Sequence, residues 1–154
     1  MEFLPLISEK FLRDTIKLDC YLIPANRKIK VARTFPQLIL DTGASTTSIT
    51  REFLIRNGYG KYTKSETKKL TAVGPVEFYH CIINGIEIAN SFKYGEMQID
   101  VIDGWDQRAV VGVIGMDILS QLTFILSHEY NKFLLTDKPI KELSTLFMTS
   151  NLFL

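Results

Sequence analysis

The 154-residue chain is poor in the residue types that most often announce a function: two cysteines, two histidines, one tryptophan, and almost no surplus of charge, with eighteen Lys and Arg against seventeen Asp and Glu. Cys20 and Cys81 are too few for a disulfide framework and too far apart for a zinc site, so both are expected to be buried thiols. A net charge of +1 argues against a dedicated nucleic-acid binder, because neutralising a phosphate backbone needs a basic excess. The small Arg27/Lys28/Lys30/Arg33 and Lys64/Lys68/Lys69 groups do not supply one. Long apolar runs are also missing. The longest, Ala109 to Met116, is eight residues with two glycines, far below the roughly 20 a spanning helix needs, so no membrane segment is expected. The chain opens Met-Glu-Phe-Leu-Pro, with an acid where a secretory leader is basic and a proline breaking the apolar run, and a cytoplasmic protein is expected. No repeat and no Gly/Ser/Pro-rich linker divides it. One domain over 1–154 follows, with a core at about 15–137 and an extension at each end.

What is present is a period of two. Thr15 to Ile23, Lys28 to Val31, Gln37 to Leu40, Lys69 to Val73, Val76 to Ile83, Ile86 to Phe92, Glu96 to Ile102, Val110 to Ile114, Leu122 to Leu126 and Phe133 to Thr136 are short, rich in β-branched and aromatic residues, and bounded by turn formers. Asn84-Gly85 between two of them signals a tight hairpin. Many short strands with frequent turns predict an all-β, closed or sandwiched architecture. Two stretches read as helix: one capped by Thr50 and running to Asn57, with Gly58 as terminator, and a shorter one over Gly115 to Leu122. Met1 to Asp14 and the apolar tail Lys138 to Leu154 fit neither scheme.

The segment with most chemistry in it is Gln37-Leu-Ile-Leu-Asp-Thr-Gly-Ala-Ser. An apolar strand delivers Asp41 to a turn, where a buried carboxyl is costly to ionise unless neighbours donate to it. Gly43 lets a backbone amide approach that carboxylate, and Thr42 and Ser45 carry hydroxyls able to tie the loop. One acid cannot be base and acid together. Two carboxyls about 3 Å apart can, because they cannot both ionise and so share a proton. Asp-Thr-Gly alone arises by chance in roughly 3% of chains of this length; the apolar run before it and Ala-Ser after it make chance a much poorer explanation.

These residues resemble the signature of the retropepsin-like aspartic peptidases, an apolar run followed by Asp-Thr/Ser-Gly-Ala. Val113-Ile-Gly-Met-Asp-Ile-Leu-Ser-Gln-Leu is similar to that family's second element, two apolar residues and a glycine leading into a short helix. Thr123-Phe-Ile-Leu, the turn at His128, and Lys132-Phe-Leu-Leu look like the closing hairpin of its cellular and bacterial branch. The resemblance implies an all-β, single-lobed acid-protease fold, a closed barrel with one or two short helices, active as a two-fold homodimer. It makes Asp41 the catalytic aspartate. Thr42, Gly43, Ile114 and Gly115 would support the active-site loop, with Thr42 reaching its counterpart in the second subunit. Ala44 and Ser45 would line the cleft, and the hairpin around Ala72-Val-Gly-Pro-Val, with Val73 and Gly74, would be the flap over a peptide or protein substrate. The implied activity is peptide-bond hydrolysis with no metal and no cofactor.

Viral members carry an acid where this chain has Ser45 and an arginine where it has Met116. Both partners are absent here, so neutral support of the loop is expected rather than one broken ion pair. The flap tyrosine of pepsin-like enzymes has no counterpart, Tyr79 lying past the tip. Asp100, Asp103, Asp106 and Asp117 are the other acids available, but Asp103-Gly104 reads as a turn and Asp117 as a favourable charge at a helix start. With one complete motif the dyad needs two chains. His80 and His128 read as structural or solvated, and Trp105 as a loop aromatic. The competing function is a catalytically silent dimerisation or peptide-binding module on the same fold; a third is a precursor held inactive by its apolar ends.

Overall fold

The computed structural model of the chain describes residues 15–30, 36–71, 74–104, 109–127, 132–138 and 141. The chain divides into two compact units, residues 13–119, and residues 1–12 with 120–154.

The larger unit contains β1 (Lys17–Leu22), β2 (Gln37–Leu40), β3 (Ser48–Thr50), α1 (Arg51–Arg56), β4 (Thr63–Lys64), β5 (Lys69–Thr71), β6 (Gly74–Val76), β7 (Tyr79–Ile83), β8 (Ile86–Ile88), β9 (Phe92–Tyr94), β10 (Met97–Ile102), β11 (Val110–Ile114) and α2 (Met116–Leu119). Nine strands form one sheet in the order β4-β7-β10-β3-β11-β2-β1-β8-β9, and β5 pairs only with β6 among the described strands. Alternation decides which face is buried: Leu18, Cys20 and Leu22 turn inward from β1 while Lys17 is exposed. In β10, Ile99, Asp100 and Val101 are buried in succession, so both faces of that strand are covered. Leu38, Ile49, Leu54, Ile83, Ile99 and Ile118 are fully enclosed, each stabilising the fold by about 1.5–3 kcal/mol relative to exposure.

One crossing positions everything discussed below. β2 and β3 are consecutive, yet they do not pair; β11 lies between them, parallel to β2 (Leu40↔Ile114) and antiparallel to β3 (Gly112↔Ile49). Gly112 makes this possible. A Cβ there would stand 2.0 Å from the Ser48 carbonyl oxygen.

Several expectations are corrected. The pairings among the described residues run from β4 to β9 without joining those ends, so closure into a barrel is not seen. Asn84-Gly85 is not the turn of a hairpin: β7 pairs with β10 and β4, whereas β8 pairs with β1 and β9. The Asn84 amide is held by the Tyr59 hydroxyl instead, and the Asn84 side chain donates to Pro24 O at 3.1 Å. Lys28 to Lys30 form turn and coil, with Ile29 N bonded back to Asn26 O. The expected strand Ile86 to Phe92 is two strands, because Ala89 and Asn90 take positive φ and turn the chain back. β3 and β4 were too short and too polar to read. α1 begins after Thr50 as expected, though no side-chain cap bond forms, and ends at Arg56, with Asn57 as its C-cap and Gly58 at φ +83°. α2 spans four residues rather than eight.

In the other unit β12 (Thr123–Ser127) pairs antiparallel with β13 (Lys132–Thr136), the expected closing hairpin. Phe133 and Leu135 are buried there. The turn containing His128 lies outside the described residues, as do Trp105, Asp106, Val73 and the apolar tail beyond 141. No helix among the described residues is long and apolar enough to cross a membrane.

Candidate active site

Asp41 follows directly on β2. Its amide donates to Ile114 O at 3.1 Å, continuing the β2–β11 pairing by one step, and its carbonyl accepts from Ala44 N at 3.2 Å to close a tight turn. Within that turn the Gly43 amide donates to Asp41 Oδ1 at 2.9 Å. A Cβ on Gly43 would lie 3.2 Å from the same oxygen, so the smallest residue leaves the carboxylate its room. The expected burial is absent: Asp41 is half-buried, and Thr42, Gly43 and Ser45 are exposed. One chain therefore presents this carboxylate on an open loop.

The loop is held from behind by the start of α2. Met116 N donates to Ala44 O at 2.8 Å and Asp117 N to Ser45 O at 3.2 Å, so loop carbonyls satisfy amides that a helix leaves free at its first turn. Gly115 lies against the loop so closely that a Cβ would meet the Thr46 carbonyl carbon at 2.4 Å. Ile114 is buried beneath. Ile114 and Gly115 both adjoin the loop.

The support is not neutral. The Asp117 carboxylate accepts from the Thr47 amide and, at 2.7 Å, from the Thr47 hydroxyl, which in turn accepts from Gly115 N at 3.1 Å. A carboxylate does stiffen the loop, but from the helix side, through charge-assisted bonds to backbone and hydroxyl. Thr47 and Asp117 were not singled out from the sequence as a pair. The signal available was Asp directly after Gly-Met at the helix start, which reads equally as a favourable charge near a helix N-terminus.

β5 and β6 pair antiparallel, with Thr71 opposite Gly74. Gly74 takes φ +107°, a conformation that disfavours any side chain. Leu70 is 81% exposed on this hairpin, and nothing in the described residues covers it. Tyr79 is not part of the site: its ring lies 5.0 Å from the Arg51 guanidinium, which also stacks over Tyr62. Asp103 accepts from Arg51 Nε and Nη2 at 2.6 and 2.8 Å, with Gly104 turning at φ +73°, as expected of a turn. His80 Nδ1 lies 3.0 Å from Asp100 Oδ1. Both cysteines are buried and free. Among the described residues no group of three or more His, Cys, Asp or Glu side chains is placed to hold a metal ion.

The sequence pattern of the family described as "Aspartyl protease" matches residues 30–118, which contain both the Asp41 loop and its support. No curated protein matches the chain in sequence. Among solved structures, a retropepsin-like aspartic protease from Rickettsia conorii superposes with a TM-score of 0.54 at 17% identity, over 79% of this chain and 89% of that one. EIAV protease gives 0.49 at 21% identity over 73% and 90% of the two chains. The retroviral protease-like domain of Ddi1 from Leishmania major gives 0.46 at 16% over 82% and 98%. The first of these likenesses shows a shared, mostly β, retropepsin-like fold.

Proposed function

Since this chain belongs to the aspartyl protease family, we propose that it is an aspartic endopeptidase whose catalytic pair is formed by Asp41 of two copies meeting on a two-fold axis. The observation that carries this reading is the Asp41 loop itself: a carboxylate oriented by the Gly43 amide, backed by Ile114 and Gly115, and left open on its outer side. The sequence holds one Asp-Thr-Gly, so the second carboxyl is most simply supplied by a second copy.

In the dimer the two Asp41 carboxyls share one proton. The ionised member takes a proton from the water held between them, and the oxygen of that water attacks the peptide carbonyl carbon. The protonated member gives its proton to the carbonyl oxygen, leaving a tetrahedral gem-diol. Collapse breaks the C–N bond as the first carboxyl gives its proton to the amine nitrogen and the second takes one from a gem-diol hydroxyl, which returns the pair to its starting state. Thr42 would bond to its counterpart across the axis. Ala44 and Ser45 would meet the extended substrate backbone, and Val73 and Gly74 with the β5–β6 hairpin would cover it and exclude water.

The test pairs wild type with Asp41→Asn. Asparagine keeps an oxygen for the Gly43 amide, so the fold is expected to be retained, whereas cleavage of the oxidised insulin B chain should fall by about a hundredfold or more. Sedimentation should show a dimer in both. Cleavage surviving in Asp41→Asn removes the dyad mechanism, and a verified dimer that cleaves nothing at any pH moves the assignment to a peptide-binding module.

A further inference from the structure

Asp100 is the most enclosed carboxyl among the described residues of the larger unit, and the Asp41 chemistry has no use for it: the residue is 3% exposed, in the middle of β10. A carboxylate held there must be partnered. Its two oxygens are shared between two elements. Oδ2 accepts from Lys69 Nζ at 2.7 Å, and Oδ1 lies 3.0 Å from His80 Nδ1. Its backbone joins a third, since Asp100 N donates to the carbonyl of Thr47, where the Asp41 loop ends.

These contacts lie along one row. Ser48 on β3, Asp100 on β10 and His80 on β7 are register partners across adjacent strands. The Lys69 ammonium comes to this row from the first residue of the β5–β6 hairpin. It also approaches Ser48 Oγ at 3.4 Å, a hydroxyl that donates onward to Thr46 O. Phe78 flanks the cluster, its ring 5.9 Å from Lys69 Nζ and edge-on to the His80 imidazole at 5.0 Å. Each hairpin strand is three residues long, and neither pairs with another described strand. A two-stranded ribbon of that size has little stability of its own, so its placement depends on what grips its base.

We propose that the Lys69–Asp100 ion pair is a latch that holds the β5–β6 hairpin in register with the Asp41 loop, making Lys69 and Asp100 positioning residues for substrate. The substrate part rests on the reading of the hairpin as the cover of the site; the latch itself does not. Lys69 acts through the hairpin's position, which should appear in how tightly substrate is held more than in the chemical step.

Hydrogen exchange on the full chain reads the latch without substrate. Lys69→Met is expected to speed exchange of amides in residues 69–76 by about tenfold or more, with 37–50 and 97–102 within about twofold of wild type. Lys69→Arg should restore protection. Unchanged exchange at the hairpin in Lys69→Met overturns the proposal, as does equal acceleration through the whole sheet. Asp100→Asn alone and combined with Lys69→Met should give the same hairpin exchange as Lys69→Met, because a pair is broken once; an additive double variant refutes the pairing. With oxidised insulin B chain as substrate, Lys69→Met should raise KM about five- to tenfold at nearly unchanged kcat. An unchanged KM beside a loosened hairpin overturns the substrate role. If wild type cleaves nothing, the peptidase assignment fails while the exchange measurements still decide the latch.

Discussion

Thr47 and Asp117, seventy positions apart, are joined through every polar hydrogen Thr47 has: the amide reaches both carboxylate oxygens at 3.0 and 2.9 Å, and the hydroxyl reaches Oδ1 at 2.7 Å. The same hydroxyl oxygen is the acceptor for Gly115 N. Thr47 is fully buried, so no water is at hand to replace a lost bond. Thr47→Val keeps the shape, removes the hydroxyl and orphans the Gly115 amide. It should lower stability by about 1–3 kcal/mol, read as a drop in the urea midpoint at constant slope. Thr47→Ser should recover most of this, and a valine variant with the wild-type midpoint would show that the hydroxyl contributes nothing.

Gly115 and Gly112 are required for close approach. A Cβ on either would lie within 2.4 Å of backbone, at Thr46 and Ser48 respectively, and backbone cannot give way as a flexible side chain can. Gly115→Ala and Gly112→Ala should each destabilise by about 1–3 kcal/mol or more. Gly60→Ala is the control, since nothing lies within 4 Å of its added methyl; it should fall within about 0.5 kcal/mol of wild type. Equal midpoints for all three would contradict the crossing of β11 between β2 and β3.

The Arg51 guanidinium, donating to both Asp103 oxygens, holds the Asp103 carboxyl below the usual aspartate range. A folded value below the unfolded one means a contribution fully present above the ordinary aspartate value and lost as pH falls through the lower, folded value. The Asp103 side chain is 58% exposed, so screening limits the pair to about 1 kcal/mol or less. Asp103→Asn should lose that much at neutral pH and show a flatter decline in stability below about pH 4. Urea midpoints measured across the acid range check it; an unaltered acid slope would mean the pair does not contribute.

Burial, and secondarily the neighbouring charge of Asp19, pushes the Cys20 thiol up to about 12. At pH 8 only about one in ten thousand such groups is a thiolate, the form that reacts. Cys81 is raised in the same direction by burial. Native protein should therefore react negligibly with a disulfide reagent at pH 8, and both thiols should react on unfolding. Fast labelling of Cys20 in the native state would refute its enclosure.

Much of this was legible in the residues because it is local. Gln37 to Leu40 and Val110 to Ile114 are strands with the expected bounds, and Thr50 and Gly58 flank a helix as their types suggest. Asp41 could be singled out because its neighbours in sequence, Leu40 before and Gly43 after, are also its neighbours in space. Asn84-Gly85 misled for the converse reason: a dipeptide reports the turn it favours, while strand partners are chosen by which apolar faces can be covered. Asp100 was one acid among four, and nothing near it in the sequence announces Lys69 or His80.

The sequence by itself determined the short strands, the turn that offers Asp41 to its surroundings, and the family to which the chain belongs, since each rests on contacts a few residues long. Only the tertiary structure decided that β11 separates β2 from β3, that the Asp117 carboxylate rather than neutral groups alone supports the loop, and that Asp100 joins the hairpin to it. Those are long-range pairings, selected by the burial of both sheet faces and by the need of an enclosed carboxylate for donors, and no local run of residues encodes them.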